Sequence, residues 1–374
     1  MDYVKYGVIG SGAAWTFHSI GAKKIPTIKF KSMYDIKDAK RTARVNKMDF
    51  YDNFDEFLKS DIDAVMIFTP HYLHEKYVLA VAEAGKHILL EKSMATTLEG
   101  CDEMIEATRK AGVKFMIAEN HRFLPAHKYI MEVIQSGLIG KPFLIRSYEG
   151  VDEIEGLMKS GYWKGHPIMA GGGSLMDMGA HKFATLNWIL NDTVESAYSW
   201  LTKQCTNLEE KAEDNAMVFL KYKKGTIAET IVSFSVVSPC NNSLEIYGSM
   251  GSIIENHEWK NPIRVFSKHD NMGEHKKKWY EPEIEHGPFP KYYQISMRNE
   301  DLHFTNCILN DIDPEFTPEQ AKEAIAVVLI SYLSAKLERT ASRNELMEIY
   351  RTKGTKSILE GLEKAVKNNC QLLN

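Results

Sequence analysis

Asp177 and His181 stand four residues apart behind the run Gly171-Gly172-Gly173-Ser174-Leu175-Met176, which brings an acid and an imidazole to one place. Three glycines let the backbone approach a ligand, and the apolar residues after them predict the start of a buried helix. Positions four apart share a helix face, so the carboxylate can fix the imidazole's tautomer and hold its pKa near neutrality, as a proton-transferring group requires. The same spacing also fits a helix N-terminus with a stabilising acid and a satisfied core histidine. The pair alone does not decide between the two.

A second set of polar residues falls within the first 123 positions, each at the end of an expected strand. Val4–Ile9 reads as a strand running into Gly10-Ser11-Gly12, with a helix from Ala13 and Ala14 to about Lys23. Ile28–Tyr34 is a second strand with Asp35 at its end, and residues 64–68 a third ending at Thr69-Pro70. Residues 71–84 predict a helix closed by Gly85, 87–90 a strand leading to Glu91-Lys92, 97–111 a helix and 114–118 a strand. Strands alternating with helices imply right-handed crossovers and a parallel sheet covered on both faces, whose ligands bind at the carboxyl ends of the strands. Gly10 and Gly12 would let the first turn approach a pyrophosphate while the next helix supplies amides and a positive dipole end. Asp35, 23 residues past Gly12, is spaced to accept hydrogen bonds from an adenosine ribose, favouring NAD; Lys37 leaves NADP as the lesser alternative. The third fingerprint position is Trp15 instead of Gly or Ala. Either the helix sits off the sheet or the indole lies against the cofactor.

The chain as a whole sets the frame. With 374 residues it should form about two domains, and 44% hydrophobic with 26% charged residues is ordinary for a globular protein. Lys and Arg number 46 against 50 Asp and Glu, for a net charge of -4, so no positive field draws it to nucleic acid or anionic lipid. Cys101, Cys205, Cys240, Cys307 and Cys370 are widely spaced without a Cys-x-x-Cys pair, which suits a reducing compartment and gives no zinc signature; no metal is expected. The first residues do not form a signal peptide, and no segment reaches the roughly 18 apolar residues of a membrane span, so a cytoplasmic protein is expected. Residues 269–286, with Lys276-Lys277-Lys278, read as an exposed charged loop.

The ordered set Gly10-x-Gly12, Thr69-Pro70, His74, Glu91-Lys92, Asn120-x-Arg122-Phe123, Trp163 and Gly171 through Asp177-x-Gly179-x-His181 resembles the glucose-fructose oxidoreductase and inositol dehydrogenase (Gfo/Idh/MocA) family. Residues 244–251, Leu-Glu-Ile-Tyr-Gly-Ser-Met-Gly, resemble its late strand and turn, so the likeness covers nearly the whole chain. It implies an α/β protein: an N-terminal Rossmann domain with a doubly wound parallel sheet over residues 1–122, and a C-terminal α+β domain over 123–374. The second domain is built on a large, mostly antiparallel open sheet that carries the substrate and commonly a homo-oligomer interface, dimeric or tetrameric.

The chemistry this resemblance implies is reversible hydride transfer between nicotinamide and a secondary alcohol of a sugar, glycoside or inositol. Hydride leaves the carbinol carbon only if the hydroxyl proton is removed, which calls for a base; His181 is the candidate. Lys92 would hydrogen-bond the same oxygen and stabilise developing negative charge, and Asp177 would orient His181 or hold another hydroxyl. Expected cofactor contacts are Gly10, Gly12, Ala13, Ala14, Trp15, Asp35, Thr69, Pro70, His74, Glu91, Lys92, Asn120 and Trp163. Expected substrate contacts are Lys92, Arg122, Lys164, Asp177, His181 and Tyr292. His74 is as readily a helix-face histidine, Arg122 a tie between domains, and Tyr292, with Tyr293, His303 and Asn306, a core or interface residue. Two departures stand out: Ser93 follows Lys92 where relatives usually have proline, and Ala184 stands where many have aspartate. The same residues also suit an enzyme that cleaves or epimerises glycosides through a keto-sugar with bound, recycled NAD, or a non-catalytic NAD-sensing regulator.

Overall fold

Short apolar runs make six parallel strands: β1 (Val4–Ile9), β2 (Ile28–Tyr34), β3 (Asp49–Tyr51), β4 (Ala64–Ile67), β5 (His87–Glu91) and β6 (Phe115–Ala118). In this computed structural model, which describes residues 2–368 apart from 38 and 207, they lie in the order β3-β2-β1-β4-β5-β6. Every residue of β4 and β6 is buried, as expected of strands covered on both faces. Helices α1 (Ala13–Ala22), α2 (Lys40–Val45), α3 (Phe54–Leu58), α4 (His74–Glu83) and α5 (Leu98–Ala111) connect them. Local chemistry sets their ends. Asn53 accepts from the Glu56 amide at the start of α3, Thr97 caps α5 through the Gly100 amide, and Gly112 closes α5 in the left-handed conformation. The sheet changes direction between β1 and β4, the crevice where such folds take their ligands.

This first unit comprises Met1–Phe123 together with Tyr293–Lys322. Residues 293–322 thus group with the parallel sheet and not with residues 124–292. Tyr6 on β1 shares a hydrogen bond of 2.9 Å with Thr305, and Phe304 lies in the core cluster with Tyr6, Met33 and Trp15. Trp15 is 2% exposed and packs edge-on to Phe30 at 4.9 Å and against Phe68 at 6.1 Å. The expectation that its indole lines a cofactor is therefore corrected: a large apolar ring at this position fills the space between α1 and the sheet.

The second unit, Leu124–Tyr292 with Glu323–Asn374, begins with α6 (Pro125–Gln135) and β7 (Pro142–Gly150). A short α7 (Ile154–Leu157) and α8 (Ala180–Leu190) precede β8 (Val194–Lys203), β9 (Asn215–Tyr222), β10 (Ile227–Ser233), β11 (Asn241–Gly248), β12 (Gly251–Asn256), β13 (Ile263–Ser267) and β14 (Trp279–Tyr280). Next in the chain come α9 (Lys291–Asn310), which from Tyr293 on belongs to the first unit, α10 (Pro318–Leu337), which belongs to the second from Glu323 on, and short strands β15 (Ala341–Ser342) and β16 (Lys367–Asn368). The strand order is β14-β13-β12-β11-β7-β10-β9-β8-β15, with β16 on β8; β7–β10 and β8–β16 run parallel and the other pairs antiparallel. Residues 269–286 do not form a featureless loop, since Trp279 and Tyr280 add an edge strand to β13.

Burial alternates along the sheet. On β9, Ala216, Val218, Leu220 and Tyr222 are buried while Met217, Phe219 and Lys221 face the other way. Trp200 pairs across from Met217, and Met217 from Ile231, so apolar side chains line the outward face; Trp200 is 45% and Phe219 41% exposed.

Candidate active site

At the end of β1 the backbone turns through Gly10 with φ +91°, and a Cβ there would stand 2.5 Å from the Phe68 carbonyl oxygen, so only glycine fits. Gly12, the N-cap of α1, has open space where its Cβ would be, and Ala13 beside it is exposed. This bare backbone carries the free amides of a helix N-terminus, a surface suited to a phosphate. At the end of β2, Asp35 Oδ2 accepts from the Ser11 amide (2.9 Å) and hydroxyl (2.6 Å), and Oδ1 from the Lys37 amide (2.9 Å). The carboxylate is thereby fixed against the glycine turn. At the end of β4, Thr69 is half-buried and its buried hydroxyl oxygen has no hydrogen-bond partner; Pro70 beside it is half-buried. Open glycine backbone, a fixed acid and an orphaned hydroxyl along one sheet edge fit a dinucleotide.

His74 does not reach a ligand. It is fully buried, one ring nitrogen 2.9 Å from the Thr69 carbonyl and the other 2.9 Å from that of Ser93. Burial holds its pKa below the usual histidine value. The ring ties the loop after β4 to the loop after β5, a positioning role in place of the expected contact. Glu91 likewise turns inward. One oxygen accepts from the Lys92 amide at 2.9 Å and the other lies 3.3 Å from His18 Nε2. His18, unremarked in the sequence, sits on α1 with its Nδ1 2.7 Å from Asp301. Burial opposes its charge, but Asp301, Glu91 and Glu300 outweigh burial and raise its pKa well above the ordinary value. Lys92 itself is half-buried at the end of β5, and its bond to Ser93 is cis.

Asn120 is 3% exposed and donates to Ser296 Oγ at 2.9 Å. Arg122 is directed at Glu315, Nε to carboxylate 3.2 Å, with its guanidinium 5.6 Å over the Phe316 ring. The expected substrate contact at Arg122 is corrected: an arginine this buried keeps its charge by pairing, here within the first unit. His303 accepts from the Glu315 amide and is structural too.

In the second unit the glycine run leads into a π-helical turn, Leu175–Gly179, before α8. The expected single α-helix is thus interrupted by a wider turn, a local irregularity that recurs at functional sites. Any Cβ on Gly172 would overlap the Tyr332 hydroxyl, and one on Gly173 the Glu213 carbonyl. Glu213, another residue without a signal in the sequence, accepts from the amides of Gly173 (3.0 Å) and Leu175 (2.9 Å) and the hydroxyl of Tyr332 (2.9 Å). Burial pushes its carboxyl up to about 7 against the pull of these donors. Asp177, on the turn so held, is 8% exposed, and His181, in the first turn of α8, is 5% exposed. Asp177 lies 3.3 Å from Lys164 Nζ, which is also 3.0 Å from Glu153. Burial opposes the lysine charge, yet these two carboxylates raise its pKa above the usual range. Lys164, expected to touch substrate, is therefore the counter-ion of Asp177, and Trp163 beside it is half-buried.

Tyr292 is 1% exposed and stacks on His257, with centroids 4.3 Å apart, so its expected substrate contact is corrected as well. Ala184 is buried on α8, and Cys370 lies outside the described residues.

A doubly wound sheet with a glycine turn and a strand-end acid is the arrangement of a nucleotide-binding protein of the Rossmann type. Residues 4–119 match the model of the oxidoreductase family with an NAD-binding Rossmann fold, and residues 127–254 the GFO/IDH/MocA C-terminal domain. The chain belongs to the Gfo/Idh/MocA oxidoreductase family. It is 33% identical over 199 residues to 1,5-anhydro-D-fructose reductase of Ensifer adhaerens, covering 52% of this chain and 57% of that protein. With myo-inositol 2-dehydrogenase of Thermotoga maritima it shares 28% over 256 residues, 67% of this chain and 74% of the relative. The fold is also that of levoglucosan dehydrogenase solved with NADH, with a TM-score of 0.82 at 21% identity over 91% of this chain and 99% of that one. Among the described residues no helix is long and apolar enough to cross a membrane.

Proposed function

We propose that this protein is an NAD-dependent dehydrogenase that moves a hydride between nicotinamide and a secondary alcohol of a sugar, glycoside or inositol. The observation that carries the reading is the strand-end series in the first unit: open Gly12, fixed Asp35, orphaned Thr69 and then Lys92. Asp35 supports NAD over NADP, because a carboxylate accepts from a ribose hydroxyl and repels a 2′-phosphate. The nicotinamide, when bound, accepts or donates the hydride. Every other requirement falls to this chain.

Lys92 offers an ammonium to an alcohol oxygen, stabilising the charge that develops as its proton leaves. His181 is the group proposed to take that proton, worth roughly 10² to 10⁴ in rate. Asp177, paired with Lys164, lies on the π-helical turn that leads into α8 and the imidazole. Family relatives named for inositol and for anhydrofructose support a polyhydroxy substrate. The apolar outward face of the second sheet, with Trp200 and Phe219, supports assembly into homo-oligomers, and reliance on a dinucleotide coenzyme supports a cytoplasmic site of action.

Incubating the protein with NAD and a panel of sugars, glycosides and inositols tests the reading through the absorbance of reduced nicotinamide. Turnover should appear with at least one polyol and fall by 10²-fold or more in Lys92→Met and in His181→Asn, on the order expected for loss of acid–base and electrostatic catalysis. Full activity in both variants, or dinucleotide binding without turnover on any polyol, would overturn it.

A further inference from the structure

Far along the chain from the strand-end residues, the second unit buries a histidine–glutamate–histidine set. His127 lies in the first turn of α6, Glu255 near the end of β12, and His257 two residues later; they are 1%, 0% and 3% exposed. His127 Nε2 lies 3.1 Å from Glu255 Oε1, and His257 Nε2 2.9 Å from the same oxygen. One ligand atom from each residue falls within 4.8 Å of the other two. The decisive detail is direction. Although 2.9 Å apart, His257 Nε2 and Glu255 Oε1 are each without a hydrogen-bond partner, whereas His127 Nε2 bonds the other carboxylate oxygen, Oε2, at 3.1 Å. In the neutral His257 tautomer that leaves Nε2 unprotonated, two acceptor atoms face each other at this distance, an arrangement that a cation bound between them relieves. Ligand atoms at about 2.0 to 2.2 Å from a tetrahedral zinc ion are separated by roughly 3.3 Å, close to these spacings.

The geometry points to a buried divalent transition-metal site, of the class that takes zinc, formed by His127, Glu255 and His257. Two imidazoles and one carboxylate are a donor set for zinc or iron, not for calcium or magnesium, which need many oxygens. Tyr292 lies flat on the His257 ring at 17°, and His286 Nε2 is 3.0 Å from the His257 carbonyl, so the imidazole plane is fixed by packing. With almost no solvent exposure, the ion would be structural, pinning α6 to β12. Nothing local in the chain signals it, because the cysteines carry no metal spacing and His127 is 128 residues from Glu255.

The test uses the full chain. After exposure to zinc chloride and gel filtration, wild-type protein should retain one zinc ion per chain by mass spectrometry. His127→Gln and His257→Gln should each fall to background with unchanged far-ultraviolet circular dichroism. Cobalt(II) in place of zinc should show tetrahedral ligand-field absorption without thiolate charge transfer, since no cysteine belongs to the set. A strong chelator should lower the melting temperature of the loaded wild type by several degrees. This last measurement stands even where a variant fails to fold. Absence of retained zinc in the wild type, full retention in the folded variants, thiolate charge transfer, or a melting temperature indifferent to the chelator would each overturn the proposal.

Discussion

His18 Nε2 lies 3.3 Å from Glu91 Oε1, and the other oxygen of Glu91 holds the backbone amide of Lys92. A buried imidazolium on α1 thus sets the chain path of the lysine proposed to meet substrate, without touching substrate itself. Replacing His18 by Ala leaves Glu91 and Asp301 buried without their cation, which should destabilise the protein by about 3 to 5 kcal/mol. The pH dependence follows from the raised pKa of His18. Its contribution is full below about pH 6.5, the unfolded value, and is lost as pH rises through the higher folded value. Urea denaturation of both proteins from pH 6 to 10 should show the gap narrowing at alkaline pH; a constant gap would mean that charge is not the cause.

Gly10 and Gly12 should separate folding from binding. Gly10→Ala places a Cβ 2.5 Å from the Phe68 carbonyl at positive φ and should cost more than about 1 kcal/mol in stability. Gly12→Ala meets open space at φ -74° and should leave the melting temperature unchanged. If the pyrophosphate rests on that backbone, the same variant should weaken NAD binding by about tenfold or more, read by calorimetry. Unaltered affinity in Gly12→Ala would remove the glycine turn from the binding site.

Glu213 gives a second pH signature, of opposite chemical origin. Its folded pKa, about 7, lies above the ordinary value of 4.5, so the native state holds the proton more tightly than the unfolded chain. Stability from this site is present below pH 4.5 and is lost as pH rises through about 7, a span worth roughly 3 kcal/mol at 1.36 kcal/mol per pKa unit. Glu213→Gln, which keeps an oxygen for the Gly173 and Leu175 amides, should flatten the decline between about pH 5 and 8. Parallel curves for the two proteins would assign that proton elsewhere.

Much of the first unit can be read locally, and the residues that depart from expectation show why. The turn at Gly10, the acid ending β2 and Thr69 ending β4 stand at strand termini that apolar patterning reveals within a few residues. His74, Arg122 and Tyr292 are legible as residue types but not as contacts, because each is decided by a partner elsewhere: the Thr69 and Ser93 carbonyls, Glu315, and His257. His18 carries no local signal at all, since its partner Asp301 is 283 residues away. The π-helical turn at Leu175–Gly179 is equally hidden, being fixed by Glu213 from another strand's approach.

The outward face of the second sheet offers a test independent of catalysis. Trp200 is 45% exposed and Phe219 41%, their rings 6.0 Å apart across β8 and β9. An exposed aromatic pair on an open sheet is a candidate interface, as proposed for homo-oligomers of this chain. The double variant Trp200→Glu, Phe219→Glu should shift light-scattering mass from an oligomer to a monomer while retaining far-ultraviolet circular dichroism. A wild type that is already monomeric at tens of micromolar would dispose of the interface.

The joining of residues 293–322 to the parallel sheet bears on how the protein is made. Tyr6 waits for Thr305 and His18 for Asp301. The six strands of the nucleotide-binding half leave the ribosome first, yet their last buried polar partners arrive some 180 residues after β6. During that interval the half-made unit exposes groups that the finished one hides, and a fragment ending at Phe123 would keep them exposed.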